Sequence, residues 1–146
     1  MPPEFDMTHD KPRLLVVEDH LETQFLLGLM LEQHFELVTC GSANDAIAIA
    51  EDETFDVCML DISLRDELDG AELMERLRLR PDFSNTPMIA MSAYYWDDEG
   101  EELLRRGFDG FAQKPFEPQE LLVLLERMVE QNRRRNGDGN SPPEPD

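Results

Sequence analysis

A chain of 146 residues has room for one domain and little of a second, and its 40% hydrophobic content can fill a core without a metal or disulfide staple. A net charge of −20 repels phosphate backbones and argues against nucleic-acid binding by this chain, and no apolar run approaches the roughly 20 residues that cross a bilayer. Cys40 and Cys58 are too few for a disulfide framework, and residues 1–12 hold no export signal, so two buried thiols in a reducing cytoplasm are expected.

Residues 1–12 mix Pro, Asp, Glu and Lys without periodicity and read as a disordered segment ahead of a folded unit over 13–133. The first apolar run is Leu14-Leu15-Val16-Val17. A segment of helical period over 20–34 follows, with Leu21, Phe25 and Leu29 on one stripe joined by Leu26 and Met30. The second run, Leu37-Val38-Thr39-Cys40, leads to a helix over 43–52 that places Ala43, Ala46, Ile47 and Ala50 at helical spacing. The third, Val57-Cys58-Met59-Leu60, precedes a helix over 70–80 built on Leu73, Met74 and Leu77 and stopped by Pro81. After the fourth, Met88-Ile89-Ala90-Met91, the helix over 97–106 has only Leu103 and Leu104 as apolar residues. Acids lead it, Arg105 and Arg106 follow, and Gly107 can end it. A weaker fifth run, Phe108 to Gln113, gives way to a helix over 118–132. There Leu121, Leu122, Leu124, Leu125, Met128 and Val129 keep the amphipathic pattern, and Pro118 sits near the first position. Residues 134–146 are expected to form a disordered acidic, Pro-rich tail. The runs are almost continuously apolar, as parallel strands covered on both faces are. Five strand–helix alternations then imply a doubly wound α/β fold with right-handed crossovers.

Each informative polar residue stands just past the carboxyl end of a run: Glu18 and Asp19 after the first, Asp61 after the third, Ser92 after the fourth and Lys114 after the fifth. Ligands of open α/β sheets bind at that edge. If the first and third strands are neighbours, three carboxylates meet there with one hydroxyl and one ammonium. Carboxylates gathered in this way repel one another unless a cation joins them. An all-oxygen donor set suits Mg²⁺, and no Cys or His stands at these positions, which speaks against zinc. Beside a cation, an ionised Asp is a nucleophile toward a phosphoryl group. The rest of the catalysis is positioning and neutralisation of phosphoryl oxygens.

Four stretches carry a resemblance that covers residues 13–131. Leu14 to His20, Asp56 to Ile62, Met91-Ser92-Ala93 and Lys114-Pro115-Phe116 are similar, in order and spacing, to the signatures of the response-regulator receiver family of two-component signalling. The resemblance implies a five-stranded parallel sheet of order 2-1-3-4-5 with helices on both faces. It implies Asp61 as the phosphoacceptor and Asp19, Asp61, the Ser63 backbone carbonyl and, through water, Glu18 around Mg²⁺. Lys114 and Ser92 would hold phosphoryl oxygens, Phe111 would be the aromatic switch residue, and the Lys114–Pro115 bond would be cis. The family's partners are a histidine kinase or a histidine phosphotransfer protein. The implied protein is a cytoplasmic, stand-alone phosphoacceptor rather than a turnover enzyme, a monomer or weak homodimer whose binding to a downstream protein changes on phosphorylation.

This sequence departs from the family pattern in two places. The loop after Asp61, Ile62 to Gly70, is one residue longer and lacks the usual proline, and Phe111 has no hydroxyl. Within the fold, a phosphate sink or relay intermediate is the alternative function. A phosphatase with an aspartyl nucleophile would want an acid two residues beyond it, where Ser63 stands. Asp19 and Glu22 also have the spacing of a capping box, a role compatible with metal binding. Tyr94-Tyr95-Trp96 suits either a partner surface or packing over the 97–106 helix. His9, His20 and His34 are scattered and read as surface residues.

Overall fold

The computed structural model describes residues 11–64, 67–93 and 97–140, with backbone only at 97–99 and 135–140. The expectations for residues 1–10, for Arg65 and Asp66, for Tyr94-Tyr95-Trp96 and for 141–146 lie outside the described residues. Five strands, β1 (Arg13–Val17), β2 (Glu36–Cys40), β3 (Val57–Asp61), β4 (Met88–Ser92) and β5 (Gly110–Gln113), pair in parallel in the order β2-β1-β3-β4-β5. Between and after them run α1 (Leu21–Leu31), α2 (Ala43–Asp52), α3 (Gly70–Arg78), α4 (Asp97–Arg106) and α5 (Pro118–Asn140). A single 3₁₀ turn, Pro81–Phe83, follows α3, because Pro81 supplies no N–H to continue that helix.

The unbroken apolar strands are explained by cover on both sides. Leu15, Val17, Cys58, Leu60, Met88 and Ala90 point to one face, against Ala46 and Ala50 of α2, Leu73 and Leu77 of α3 and Leu103 of α4. Their neighbours in sequence, Leu14, Val16, Val57, Met59, Ile89 and Met91, point to the other face, against Leu27 and Leu31 of α1 and Leu121, Leu125 and Val129 of α5.

Two expectations are corrected. The stripe Leu21, Phe25, Leu29 exists but faces outward, at 78%, 67% and 60% exposure, with Leu26 half exposed; the buried residues of α1 are Leu27 and Leu31, with Met30 packed against the same core. Because α1 is apolar around its whole circumference, its own periodicity cannot select a face, and the sheet selects it. The last helix does not end at residue 132, since α5 continues to Asn140. Once the apolar turns through Val129 are docked, each further residue adds a hydrogen bond without a new nucleation cost.

Arginines lock the amino edge of the sheet. The Arg13 guanidinium pairs with Glu53 at 2.5 Å and lies 4.7 Å from the Phe55 ring centre, while its backbone N–H donates to Asp56 Oδ2 at 2.7 Å. Arg78 donates to the carbonyls of Thr86 (2.7 Å) and Gly107 (3.1 Å) and to Asp109 Oδ2 (2.8 Å), which also accepts the Met88 N–H.

Candidate functional site

At the opposite edge, β1 and β3 lie side by side with Val17 paired to Leu60, so Glu18, Asp19 and Asp61 emerge together. Asp61 closes β3 at 1% exposure. Its Oδ1 accepts the Ser63 N–H at 2.8 Å and its Oδ2 lies 3.3 Å from Lys114 Nζ. Glu18 is fully buried: Oε1 accepts from Lys114 Nζ at 2.6 Å, and Oε2 accepts the His20 backbone N–H at 3.0 Å. His20 Nδ1 lies 3.0 Å from Glu18 Oε2 and 3.2 Å from Asp19 Oδ1.

Lys114 reaches this cluster from the end of β5, followed by a cis bond to Pro115, and its backbone N–H donates to the Ser92 carbonyl at 2.8 Å. Ser92 ends β4 at the strand position after Met91, the partner of Asp61, and is buried. Strand register therefore puts hydroxyl, ammonium and carboxylate on adjacent strand ends. Phe111, in β5, is partly buried and packs against α4, where a side chain at Gly100 would meet its ring at 2.6 Å. Gly70 serves a related purpose at the start of α3. A Cβ there would lie 2.3 Å from the Asp61 carbonyl oxygen, so only glycine lets the helix come this close to the loop after Asp61.

Local capping differs from expectation. His20, not Asp19, is the N-cap of α1, and no side chain caps that helix. The capping box forms instead at α3, between Asp69 and Glu72. Asp69-Gly70-Ala71-Glu72 has the same acid spacing, and there both bonds form, Glu72 N–H to Asp69 Oδ1 and Asp69 N–H to Glu72 Oε1.

Burial raises the Asp61 carboxyl above the ordinary carboxylate range; the Ser63 N–H pulls it back, the Glu18 charge adds to the rise, and Lys114 offsets only part of it. Burial acts to lower Lys114, but its hydrogen bond to Glu18 and the charges of Asp61 and Glu18 outweigh that and hold the ammonium above its usual value. Among the described residues the cluster sets three carboxylates against one ammonium. One ligand atom from each of Glu18, Asp19, His20 and Asp61 lies within 4.8 Å of the others. Donors around an octahedral cation at about 2.1 Å are separated by roughly 3 to 4.2 Å, so these atoms would draw together to share one. The donor chemistry fits a divalent cation.

Glu18, Asp19, Asp61 and Lys114 are thus in one place, with Ser92 on the adjoining strand. For Ser63 the contact is through its N–H to Asp61. His20 is the residue that sequence reasoning missed. Its only signal was adjacency to Glu18-Asp19, and adjacency does not say which way a side chain turns. Of the thiols, Cys58 is buried and raised by that burial, and Cys40 is pushed up to about 11 by burial, the Ser42 carbonyl opposing and Asp45 adding.

The chain matches the family model "Response regulator receiver domain" over residues 14–126. It is 35% identical over 115 residues to an uncharacterized 14.6 kDa protein of Leptolyngbya boryana, covering 78% of this chain and 87% of that one. It is 33% identical over 117 residues to the signal transduction histidine-protein kinase BarA of Escherichia coli, where the match spans 78% of this chain but 12% of the kinase. Among solved structures, it is similar to the receiver domain of a sensor histidine kinase of Pseudomonas aeruginosa with a magnesium ion coordinated in its active-site cleft. The TM-score is 0.74 and the identity 26%, over 82% of this chain and 98% of that one.

Proposed function

The chain belongs to the response regulator receiver domain family, and on that premise we propose that it takes a phosphoryl group from a phosphohistidine donor onto Asp61, with Mg²⁺ held by Glu18, Asp19 and Asp61. The observation that carries this reading is a carboxylate buried at the end of β3 between a backbone donor, an ammonium and two further carboxylates. The Ser63 N–H fixes the rotation of the Asp61 carboxylate, which leaves Oδ2 facing Lys114. An O–P bond forms at Asp61 as the donor's P–N bond breaks, and the departing imidazole keeps the electron pair. Bound Mg²⁺ supplies charge neutralisation for the phosphoryl oxygens and the acidic cluster. Lys114 exchanges part of its contact with Glu18 and Asp61 for a phosphoryl oxygen, and Ser92 donates its hydroxyl to another. The Ser63 carbonyl is the remaining ligand of the cation in this reading. Phe111 follows Ser92 and alters the surface presented to a downstream protein.

The donor is a histidine kinase or a phosphotransfer protein, and α1 supports a protein rather than a small molecule in that role. Its outward Leu21, Phe25 and Leu29 begin one residue past His20, and Leu26 and Met30 meet Pro115 and Phe116 around a cavity beside Lys114. An apolar patch at the rim of an acidic cleft suits a protein interface. No described helix is long and apolar enough to cross a membrane, and a cytoplasmic site of action belongs to this reading. The chain is an acceptor rather than a phosphatase, since Ser63 occupies the place where that chemistry would want an acid. Treatment with Mg²⁺ and a small phosphodonor is expected to add one phosphoryl mass to the wild type and none to Asp61→Ala. Stoichiometric labelling of the variant would overturn the assignment.

A further inference from the structure

His20 occupies the N-cap of α1 but does not cap it; its backbone there is extended, and no N–H of the first turn reaches its side chain. The ring turns instead into the cleft, with Nδ1 at 3.0 Å from Glu18 Oε2 and 3.2 Å from Asp19 Oδ1. The helix start thus goes without a side-chain cap, and its imidazole lies against two of the three carboxylates of the cluster. A ring nitrogen of His20 is within 4.8 Å of a ligand atom of Asp61. The remainder of the ring is half exposed, so the residue is not held in this position by packing.

We infer that His20 is a fourth side-chain ligand of this cleft, through Nδ1, and biases it toward divalent transition metals over Mg²⁺. The inference rests on the proposed cation site and adds to it a donor of a different kind. A cation placed among these atoms takes the position that the Nδ1 hydrogen holds against the two carboxylates, with the ring hydrogen on Nε2. Mg²⁺ gains little from a nitrogen donor, whereas affinity for imidazole-bearing sites climbs from Mn²⁺ toward Zn²⁺ and Cu²⁺. An all-oxygen cluster discriminates weakly among divalent cations, and one imidazole changes that ranking.

The test uses the full chain and its His20→Ala, His20→Gln and Asp19→Asn variants, with Mn²⁺ as the probe. Bound Mn²⁺ is read from the loss of the free-ion EPR signal, and Zn²⁺ and Mg²⁺ affinities from displacement of that Mn²⁺. Pulsed EPR of the bound ion is expected to show coupling to one imidazole nitrogen in the wild type and to none in either His20 variant. Zn²⁺ affinity is expected to fall at least about tenfold in both His20 variants, while Mg²⁺ affinity changes by less than about twofold. Mn²⁺ binding that Asp19→Asn weakens, but that shows no nitrogen coupling and leaves the Zn²⁺ to Mg²⁺ ratio unchanged in the His20 variants, overturns the inference and leaves the cation site standing. Nitrogen coupling that persists in His20→Ala overturns it as well. Mn²⁺ binding insensitive to Asp19→Asn removes the cation site itself.

Discussion

At the amino edge of the sheet the acids are partly exposed, and each meets an arginine or a backbone N–H. Glu53 closes on the Arg13 guanidinium, Asp56 takes the Arg13 backbone N–H, Asp109 closes on Arg78, and the remaining Arg78 donors satisfy the carbonyls of Thr86 and Gly107. At the carboxyl edge, some five residues along the same strands, Glu18 and Asp61 share one ammonium, Lys114, beside Asp19, and these two are almost wholly buried. Both edges gather acids at strand ends, but the acids of the amino edge stay partly exposed beside their arginines, whereas Glu18 and Asp61 are buried. A surplus of buried negative charge lowers stability, so it persists where something outside the chain completes it. The solvated, arginine-paired edge holds the fold, and the buried acidic edge is the place where a cation and a phosphoryl group would enter.

The contrast predicts opposite responses to removal of charge. Arg78→Ala is expected to cost about 3 kcal/mol in urea unfolding, because it strands Asp109 and the carbonyls that the guanidinium joins. The protein that remains folded should still accept a phosphoryl group on Asp61. A cost below about 1 kcal/mol would mean that the amino edge is not held by this network.

Lys114→Ala should be the next largest, about 2 kcal/mol in metal-free buffer, since Glu18 is buried with that ammonium as a principal partner. Phosphorylation should no longer produce its spectral shift or its change in partner affinity. An unchanged shift would detach Lys114 from the switch.

Asp61→Asn should do the reverse and raise the unfolding midpoint without metal. The sign follows from the raised carboxyl of Asp61. Over the pH range from its unfolded value near 3.8 to its higher folded value, the native state holds more protons than the unfolded one. Wild-type stability therefore falls as pH rises through that window, and the advantage of Asp61→Asn should grow as the pH rises past the folded value and close in acid. Mg²⁺ at ten times its dissociation constant should stabilise the wild type by about 1.4 kcal/mol, a few degrees of Tm. That gain should shrink in Asp61→Asn and nearly vanish in Asp19→Asn. A variant less stable than wild type in EDTA would make the carboxylate structural, and equal Mg²⁺ gains in all three would move the cation elsewhere.

The smallest effect concerns a thiol at the acidic edge. Cys40, at the end of β2, has its pKa pushed up to about 11 by burial. At about pH 8 it should be alkylated roughly a hundredfold more slowly than in the urea-unfolded chain, with the rate rising only as the pH nears that value. Equal rates in the two states would show that the strand end opens readily.

Much of this arrangement is legible in the residues. Leu14 to Val17, Val57 to Leu60 and Met88 to Met91 are uninterrupted apolar runs, and buried parallel strands have few other ways to appear. Glu18, Asp19, Asp61, Ser92 and Lys114 stand out because each breaks apolar character at the same end of a strand. The α1 face was not legible, because Leu21, Phe25, Leu27, Leu29 and Leu31 populate the whole circumference and the outward set has the more regular spacing. Nor did local spacing tell which acid pair forms a capping box, Asp19 with Glu22 or Asp69 with Glu72.

The order of elements, the two-faced sheet and the identity of the polar residues at its carboxyl edge were determined by the sequence alone, because burial and backbone period act over a few neighbouring residues. Which way His20 turns, which face of α1 meets the sheet and how closely α3 approaches Asp61 were decided only by the tertiary structure. Each depends on packing between segments distant in sequence: the His20 ring meets its neighbours Glu18 and Asp19, but Glu18 is held in place by Lys114; Leu27 and Leu31 follow the sheet face formed by β1 and β3; and Gly70 follows the path of the chain out of β3. Pairwise geometry of that kind is absent from any local window of residues.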